Sequence, residues 1–309
     1  MLLTYATAHA DKRTKAGKRH KLGYYQAIMG YLFIAPSVVL FIIFTGIPII
    51  NAFYLSFTNY DVLSTAEWVG LRNYKKLLGD ETFLTSLKNI LFYVAMYVPL
   101  MIICSLVIAL ALNRKLPGTN LFRTVYYIPG LTSSIAASTV WMWILNPEYG
   151  LLNQILSYVG IVGPAWLANT STAMISIVMV TLWQGIGGNM VIYLAGLQGI
   201  PNILYESAKL DGANKWQLFF YITLPGLRPT TFFIFIMSMI GSFQLFDQAF
   251  AMTQGGPGYA TTTPVYLIYN EGFNQLNMGY ASAMAFVLFV IILAFSFLNF
   301  RLNSSEQEG

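Results

Sequence analysis

A handful of polar side chains stand inside long apolar runs of this chain, and they are the residues with chemistry to offer. Ser134 follows Thr132 and Ser133, just after Pro129-Gly130. Gln184 opens the stretch Gln184, Gly185, Gly187, Gly188, Asn189, where small residues let a ligand or a second helix come close. Ser238 and Ser242 are four apart and share a face of a helix, with Gln244 and Asp247 three apart on a neighbouring face. Hydroxyls and amides exchange hydrogen bonds with a polar ligand, and no nucleophile–base arrangement accompanies them. A carboxylate at mid-bilayer costs about 2.5–3.5 kcal/mol on insertion scales, so Asp247 marks a polar setting. The same residues also fit a plainer role. Membrane Ser and Thr bond their own backbone, and Gln or Asn join helices.

Other chemistry is missing. No Gly-x-x-x-x-Gly-Lys-Ser/Thr loop occurs, so the phosphate cradle of an ATPase is absent; Gly17-Lys18 is followed by Arg19 and has no glycine five residues before it. The two histidines, His9 and His20, lie near the N-terminus without metal partners. The single cysteine, Cys104, falls within an apolar run, where it reads as a small filler with no disulfide to form. The chain is not expected to be an enzyme by itself.

The elements that must position these residues follow from composition. Residues are 56% hydrophobic, 9% charged and 16% aromatic, which excludes an ordinary soluble globule. Apolar runs of about twenty residues match the roughly 30 Å hydrocarbon core as helices, the form that satisfies every backbone group there. Six spans are expected, near 28–50, 88–112, 122–145, 171–197, 229–251 and 279–300. The fold class is all-α, a polytopic membrane protein: a basic tail over 1–27, a transmembrane domain over 28–300 and a short tail over 301–309. The first apolar run is too long for the 7–15-residue core of a signal peptide, so it reads as an uncleaved span. A short helix is expected near 71–79 and an interfacial one over 151–159. Trp166 reads as an anchor at the membrane surface, and Gly255-Gly256-Pro257 as a sharp turn.

Basic residues set the orientation. Thirteen of the 17 Lys and Arg residues fall on the side of the two termini, and Arg72, Lys75, Lys76 and Lys88 on the other. Both termini and the loop at about 198–228 are therefore expected in the cytoplasm. This bias accounts for the formal charge of +5 without a nucleic-acid partner.

That loop contains YESAKLDGANKWQLFFYITLPG, dense in charge for this chain. Asn202 is placed to cap a first short helix, which Asp211-Gly212 breaks. Asn214 can cap a second, with Trp216, Leu218, Phe219 and Ile222 as its apolar side, and Leu224-Pro225 to stop it. One reading is a connector lying on lipid headgroups. Against it stand Glu206 and Asp211, which anionic lipid disfavours; a small knob tipped by glycine suits a protein cleft.

The stretch resembles the cytoplasmic signature of permease subunits in binding-protein-dependent ABC importers: Glu-Ala-Ala, three residues, Gly, nine residues, Ile-x-Leu-Pro. Here it runs Glu206, Ser207, Ala208, Gly212, Ile222, Leu224, Pro225, with Ser207 in place of alanine. Residues 126–153 and 246–269, the latter with Thr253-x-Gly255-Gly256-Pro257, resemble the sugar branch that includes maltose, glycerol-phosphate and multiple-sugar importers. The resemblance covers most of the chain. It implies a subunit of a prokaryotic inner-membrane importer, with Glu206, Ser207, Ala208, Asp211 and Gly212 as the element docked on a separate ATPase. It also implies a second, similar permease, most simply a different chain, together with two ATPase subunits and an extracytoplasmic sugar-binding protein. ATP and magnesium would sit on the ATPases, leaving no cofactor on this chain. A site between the two permeases would receive a di- or oligosaccharide, whose hydroxyls suit Ser134, Gln184, Ser238, Ser242, Gln244 and Asp247. The rival reading is a secondary transporter, which usually holds several ionisable groups inside its spans.

Overall fold

A computed structural model of the chain describes residues 29–114 and 118–307. The expected basic tail lies outside the described residues. The chain divides into two units, Met1–Leu55 and Ser56–Gly309.

In the first unit, α1 (Met29–Leu55) is an apolar helix of 27 residues. Pro48 cannot donate a backbone hydrogen bond, and just before it the helix widens into a π turn, Ile42–Gly46. There the Ile47 N–H reaches back to the Ile42 carbonyl, which carries the helix past the proline.

The second unit is mostly helical. It opens with a two-residue antiparallel ribbon, β1 (Thr58–Asn59) with β2 (Glu67–Trp68), followed by α2 (Arg72–Leu78). Next comes α3 (Glu81–Leu112), which starts earlier than the apolar pattern does. Asp80 explains the early start: its carboxylate accepts from the N–H groups of Thr82 and Phe83, at 2.9 and 3.1 Å.

The expected span at 122–145 is not one helix. It divides into α4 (Thr119–Tyr127), a 3₁₀ turn at Ile128–Leu131 and α5 (Ser134–Ile144). Pro129 falls within the 3₁₀ turn, and Thr132 beyond it is extended. A short helix α6 (Leu151–Tyr158) precedes α7 (Ala173–Gly199). After α7 come α8 (Asn202–Leu210), α9 (Lys215–Gly226) and α10 (Arg228–Phe243), with a 60° bend between the last two. The chain closes with α11 (Pro264–Tyr269) and α12 (Met278–Gln307). The span expected at 229–251 likewise breaks, because α10 ends at Phe243 and helical structure resumes only at Asp247.

Buried side chains give the helix directions. Ile90 and Tyr93 near the start of α3 pack in one cluster with Ile177 and Val178 near the start of α7. Ala109 near the end of α3 clusters with Tyr193, Leu194 and Leu197 near the end of α7. The two helices therefore run the same way. Tyr280 at the start of α12 donates to the Asp80 carboxylate at 2.6 Å, so α12 begins at the same end. α10 runs the other way, with Ile234 in the second cluster and Met239 and Phe243 in the first. So does α4–α5, from Arg123, which donates to the Leu112 carbonyl, to Leu145 in the first cluster.

Candidate functional site

The break in the third apolar stretch lies against the glycines of α7. A Cβ on Gly187 would come within 2.0 Å of the Tyr126 carbonyl oxygen, so only glycine lets the two backbones meet there. This contact sets Gly130, Thr132 and Ser134 opposite Gln184.

The break after α10 is held from a distance. The buried hydroxyl of Thr263 donates to the Leu245 carbonyl at 2.7 Å, satisfying a backbone group that the ended helix leaves free. Its neighbours hold the Gly-Gly-Pro turn: Thr262 donates to the Gly255 carbonyl at 2.9 Å and Thr261 to that of Gly256 at 2.7 Å. The unwound stretch runs from Gln244 to Phe246, and helix resumes at Asp247.

These two breaks, with α3 and α7, enclose a polar cavity of about 460 Å³. All six polar residues singled out from the sequence, Ser134, Gln184, Ser238, Ser242, Gln244 and Asp247, line it. Their freedom differs. Ser242 is 2% exposed and its hydroxyl donates to the Ser238 carbonyl at 2.5 Å, the backbone bond of the plainer role. Gln184 accepts a hydrogen bond from the Gln248 amide at 2.9 Å, a bridge between α7 and the stretch after α10. The Asp247 carboxylate makes no hydrogen bond or ion pair among the described residues, and it is exposed.

Sequence reasoning missed part of the lining. Tyr93 and Tyr97 of α3 stack at 5.2 Å, and Tyr93 donates to the Thr181 hydroxyl at 3.0 Å. Four-residue spacing put the two rings on one face, but a tyrosine pair inside an apolar run carries no polarity signal. Gln248, four residues after Gln244, was within reach of the periodicity argument. Among the described residues no group of His, Cys, Asp and Glu could hold a metal ion.

The second set lies at the end of the bundle where α3 and α7 finish. Pro201, not Asn202, occupies the cap of α8 and makes no side-chain cap bond, because Asn202 is already the first helical residue. At the other end Gly212 takes φ +81°. The Ala213 N–H donates to the Ala208 carbonyl at 2.9 Å and the Gly212 N–H to that of Lys209 at 3.1 Å. This pair of bonds is the Schellman closure, in which a left-handed residue consumes the free carbonyls of a helix end. Asn214 then caps α9 through a reciprocal pair with Gln217, at 3.0 and 2.7 Å. Leu224-Pro225 does not stop α9. A π turn at Phe219–Thr223 carries the helix through the proline to Gly226. Glu206, Ser207, Asp211 and Gly212 are exposed and Ala208 is half-buried. Beside them Leu210 and Trp216 stand 90% and 72% exposed.

A family model described as "Binding-protein-dependent transport system inner membrane component" matches residues 77–306. Among curated relatives, "Probable ABC transporter permease protein YesP" of Bacillus subtilis is 37% identical, over 96% of this chain and 95% of the relative. "Arabinooligosaccharides transport system permease protein AraP" of the same organism is 37% identical, over 90% of each chain. A chain in the crystal structure of a bacterial ABC transporter that imports the acidic polysaccharide alginate has the same fold. Its TM-score is 0.80 at 22% identity, over 91% of this chain and 96% of that one.

Proposed function

The chain belongs to the family of inner-membrane components of binding-protein-dependent transport systems, and we propose that it forms one half of the pore of an ATP-driven sugar importer. The observation that carries this reading is the convergence of Ser134, Gln184, Ser238, Ser242, Gln244 and Asp247 on one polar cavity. Hydroxyls, amides and tyrosine rings are what a hydroxylated ligand needs, and no basic side chain lines the cavity to favour a phosphorylated one. Relatives named for oligosaccharides support a di- or oligosaccharide.

In this reading the chain crosses an inner membrane six times. Because α3, α7 and α12 run one way, it must return between them, through α4–α5 and through α10; α1 supplies the remaining crossing. Both termini and the α8–α9 hairpin face the cytoplasm. The hairpin, with Glu206, Ser207, Ala208, Asp211 and Gly212, docks on one of two ATPase subunits, which hold ATP and magnesium. A second permease, a different but similar chain, completes the pore, and an extracytoplasmic binding protein delivers the sugar. Closure of the ATPases moves the hairpin, and the cavity opens outward to receive sugar.

The test is uptake into proteoliposomes holding the whole complex. Uptake is expected to require ATP on the ATPase side and the binding protein on the other, and to survive collapse of ion gradients. Uptake driven by a proton or sodium gradient without ATP would overturn the reading in favour of a secondary transporter.

A further inference from the structure

The two helices of the α8–α9 hairpin differ in what they expose. α8 carries Glu206 and Lys209, with Asp211 at its end, whereas α9 carries Lys215 and no acid, and Arg228 follows it. The two sides of α9 differ as well. Gln217 and Tyr221, four apart, line a hollow of about 310 Å³ inside the hairpin, together with Ala208, Asp211 and Gly212. Trp216 and Phe220, also four apart, do not line it; they are 72% and 52% exposed, and their rings stack at 6.2 Å. Phe219 adds a third ring, edge-on to Phe220 at 5.0 Å. A ring stack left open on one side, flanked by cations and free of acids, suits a lipid headgroup layer. Aromatic rings there meet the acyl boundary, and Lys or Arg meet phosphates.

Three other helices fix the level of this stack. Ile222 of α9 packs against the cluster that holds Ala109, near the end of α3, and Leu197 and Ile200, at the end of α7. Arg123 of α4 donates to the Leu112 carbonyl at the same end, and Asn113 and Arg114 follow α3 there. α9 is therefore level with the place where apolar spans give way to polar chain. It leaves α10 at 60°. Phe220 precedes the end of α9 by six residues, about 9 Å of helix. With α10 along the membrane normal, that inclination makes about 4.5 Å of height, inside a headgroup layer of about 6 Å.

We propose that α9 rests in the headgroup layer of the membrane, with Trp216 and Phe220 inserted among lipids of the leaflet on the hairpin side, and that only the hollow beside Gln217 and Tyr221 is left to the ATPase. The ATPase's claim on that hollow rests on the import reading above; the lipid contact of α9 does not. The test is spin labelling in a Cys104→Ser background, on the assembled complex in nanodiscs of equal parts phosphatidylcholine and phosphatidylglycerol. Collisions with oxygen, which concentrates in lipid, are compared with collisions with a nickel chelate, which stays in water. A label on Phe220→Cys is expected to favour oxygen, with an oxygen-to-nickel ratio severalfold above that of Tyr221→Cys, the next residue. Trp216→Cys should follow Phe220→Cys, and it is the reporter if Phe220→Cys fails to assemble. Collisions dominated by nickel at 216 and 220 place the stack in water and overturn the proposal. Shielding from both reagents at 216 and 220 means that a protein covers the rings, and overturns it too. Oxygen-dominated collisions at Tyr221→Cys as well would leave the lipid contact standing and count against the import reading, because the hollow would then be closed to an ATPase.

Discussion

Asp247 is the residue that tests the proposed sugar site most directly. Its carboxylate faces the cavity without a protein partner, so a ligand hydroxyl is its natural one, and hydrogen bonds to charged groups are worth about 1.5–3 kcal/mol. Asp247→Asn keeps the shape and removes the charge. Uptake efficiency should fall about tenfold to hundredfold while the complex assembles normally. Unchanged uptake would make the carboxylate a solvated helix end. Ser238 and Ser242 test the cavity by volume instead. A tryptophan at either position should block uptake by filling the space, and ATPase activity stimulated by the binding protein should survive. Full uptake with Ser238→Trp and Ser242→Trp together would show that these positions face a spacious gap.

At the level of elements, two broken helices make the site, and both breaks were hidden in the sequence for a physical reason. Pro129-Gly130 was visible, but what fixes the break is Gly187 on another helix, whose missing Cβ admits the Tyr126 backbone. The end of α10 at Phe243 depends on Thr263, 18 residues away from the carbonyl it satisfies. Periodicity reads neighbours along one helix, so it joined 229–251 into a single span. The polar residues themselves were legible, since an apolar run exposes each exception. Tyr93 and Tyr97 were not exceptions, and they were missed. The Thr263 bond is testable. Thr263→Val leaves a buried carbonyl unpaired, at a cost of about 1–3 kcal/mol. The complex should melt several degrees lower and lose sugar affinity, and Thr263→Ser should restore both. A normal melting point in Thr263→Val would mean that another donor satisfies Leu245.

The hairpin was the most legible element, because its turn chemistry is local. Gly212 closes α8 at φ +81°, and a Cβ there would meet nothing within 4 Å. Backbone conformation, not space inside this chain, therefore demands glycine, at about 1–2 kcal/mol for other residues. Asparagine tolerates that conformation better than valine does. Gly212→Val should weaken co-purification of the ATPase and uncouple hydrolysis from the loaded binding protein, with Gly212→Asn intermediate. Glu206→Lys should do the same by reversing a charge at the contact. Normal co-purification and stimulated hydrolysis in both Gly212→Val and Glu206→Lys would reduce the hairpin to a surface connector.

For the whole molecule the question is which end faces the cytoplasm. The parallel course of α3 and α7 puts the ribbon and α2 at one end of the second unit and the α8–α9 hairpin at the other. Charge chooses between the two orientations: lysine and arginine resist translocation, and the hairpin end of the second unit carries Arg114, Arg123, Lys209, Lys215, Arg228 and Arg301, against Arg72, Lys75, Lys76 and Lys88 at the other end. Cys104 is the single cysteine, so Cys104→Ser gives a background free of thiols. In that background Ser64→Cys, on the loop between β1 and β2, should react in intact cells with a maleimide that cannot cross the inner membrane. Gln217→Cys, on the hairpin, should react only after the membrane is opened. The opposite pattern would place the hairpin outside, beyond reach of any ATPase, and would remove the coupling role of Gly212. Labelling of both sites in intact cells would mean that the two ends are not separated by the membrane, which the lengths of α3 and α7, 32 and 27 residues, argue against.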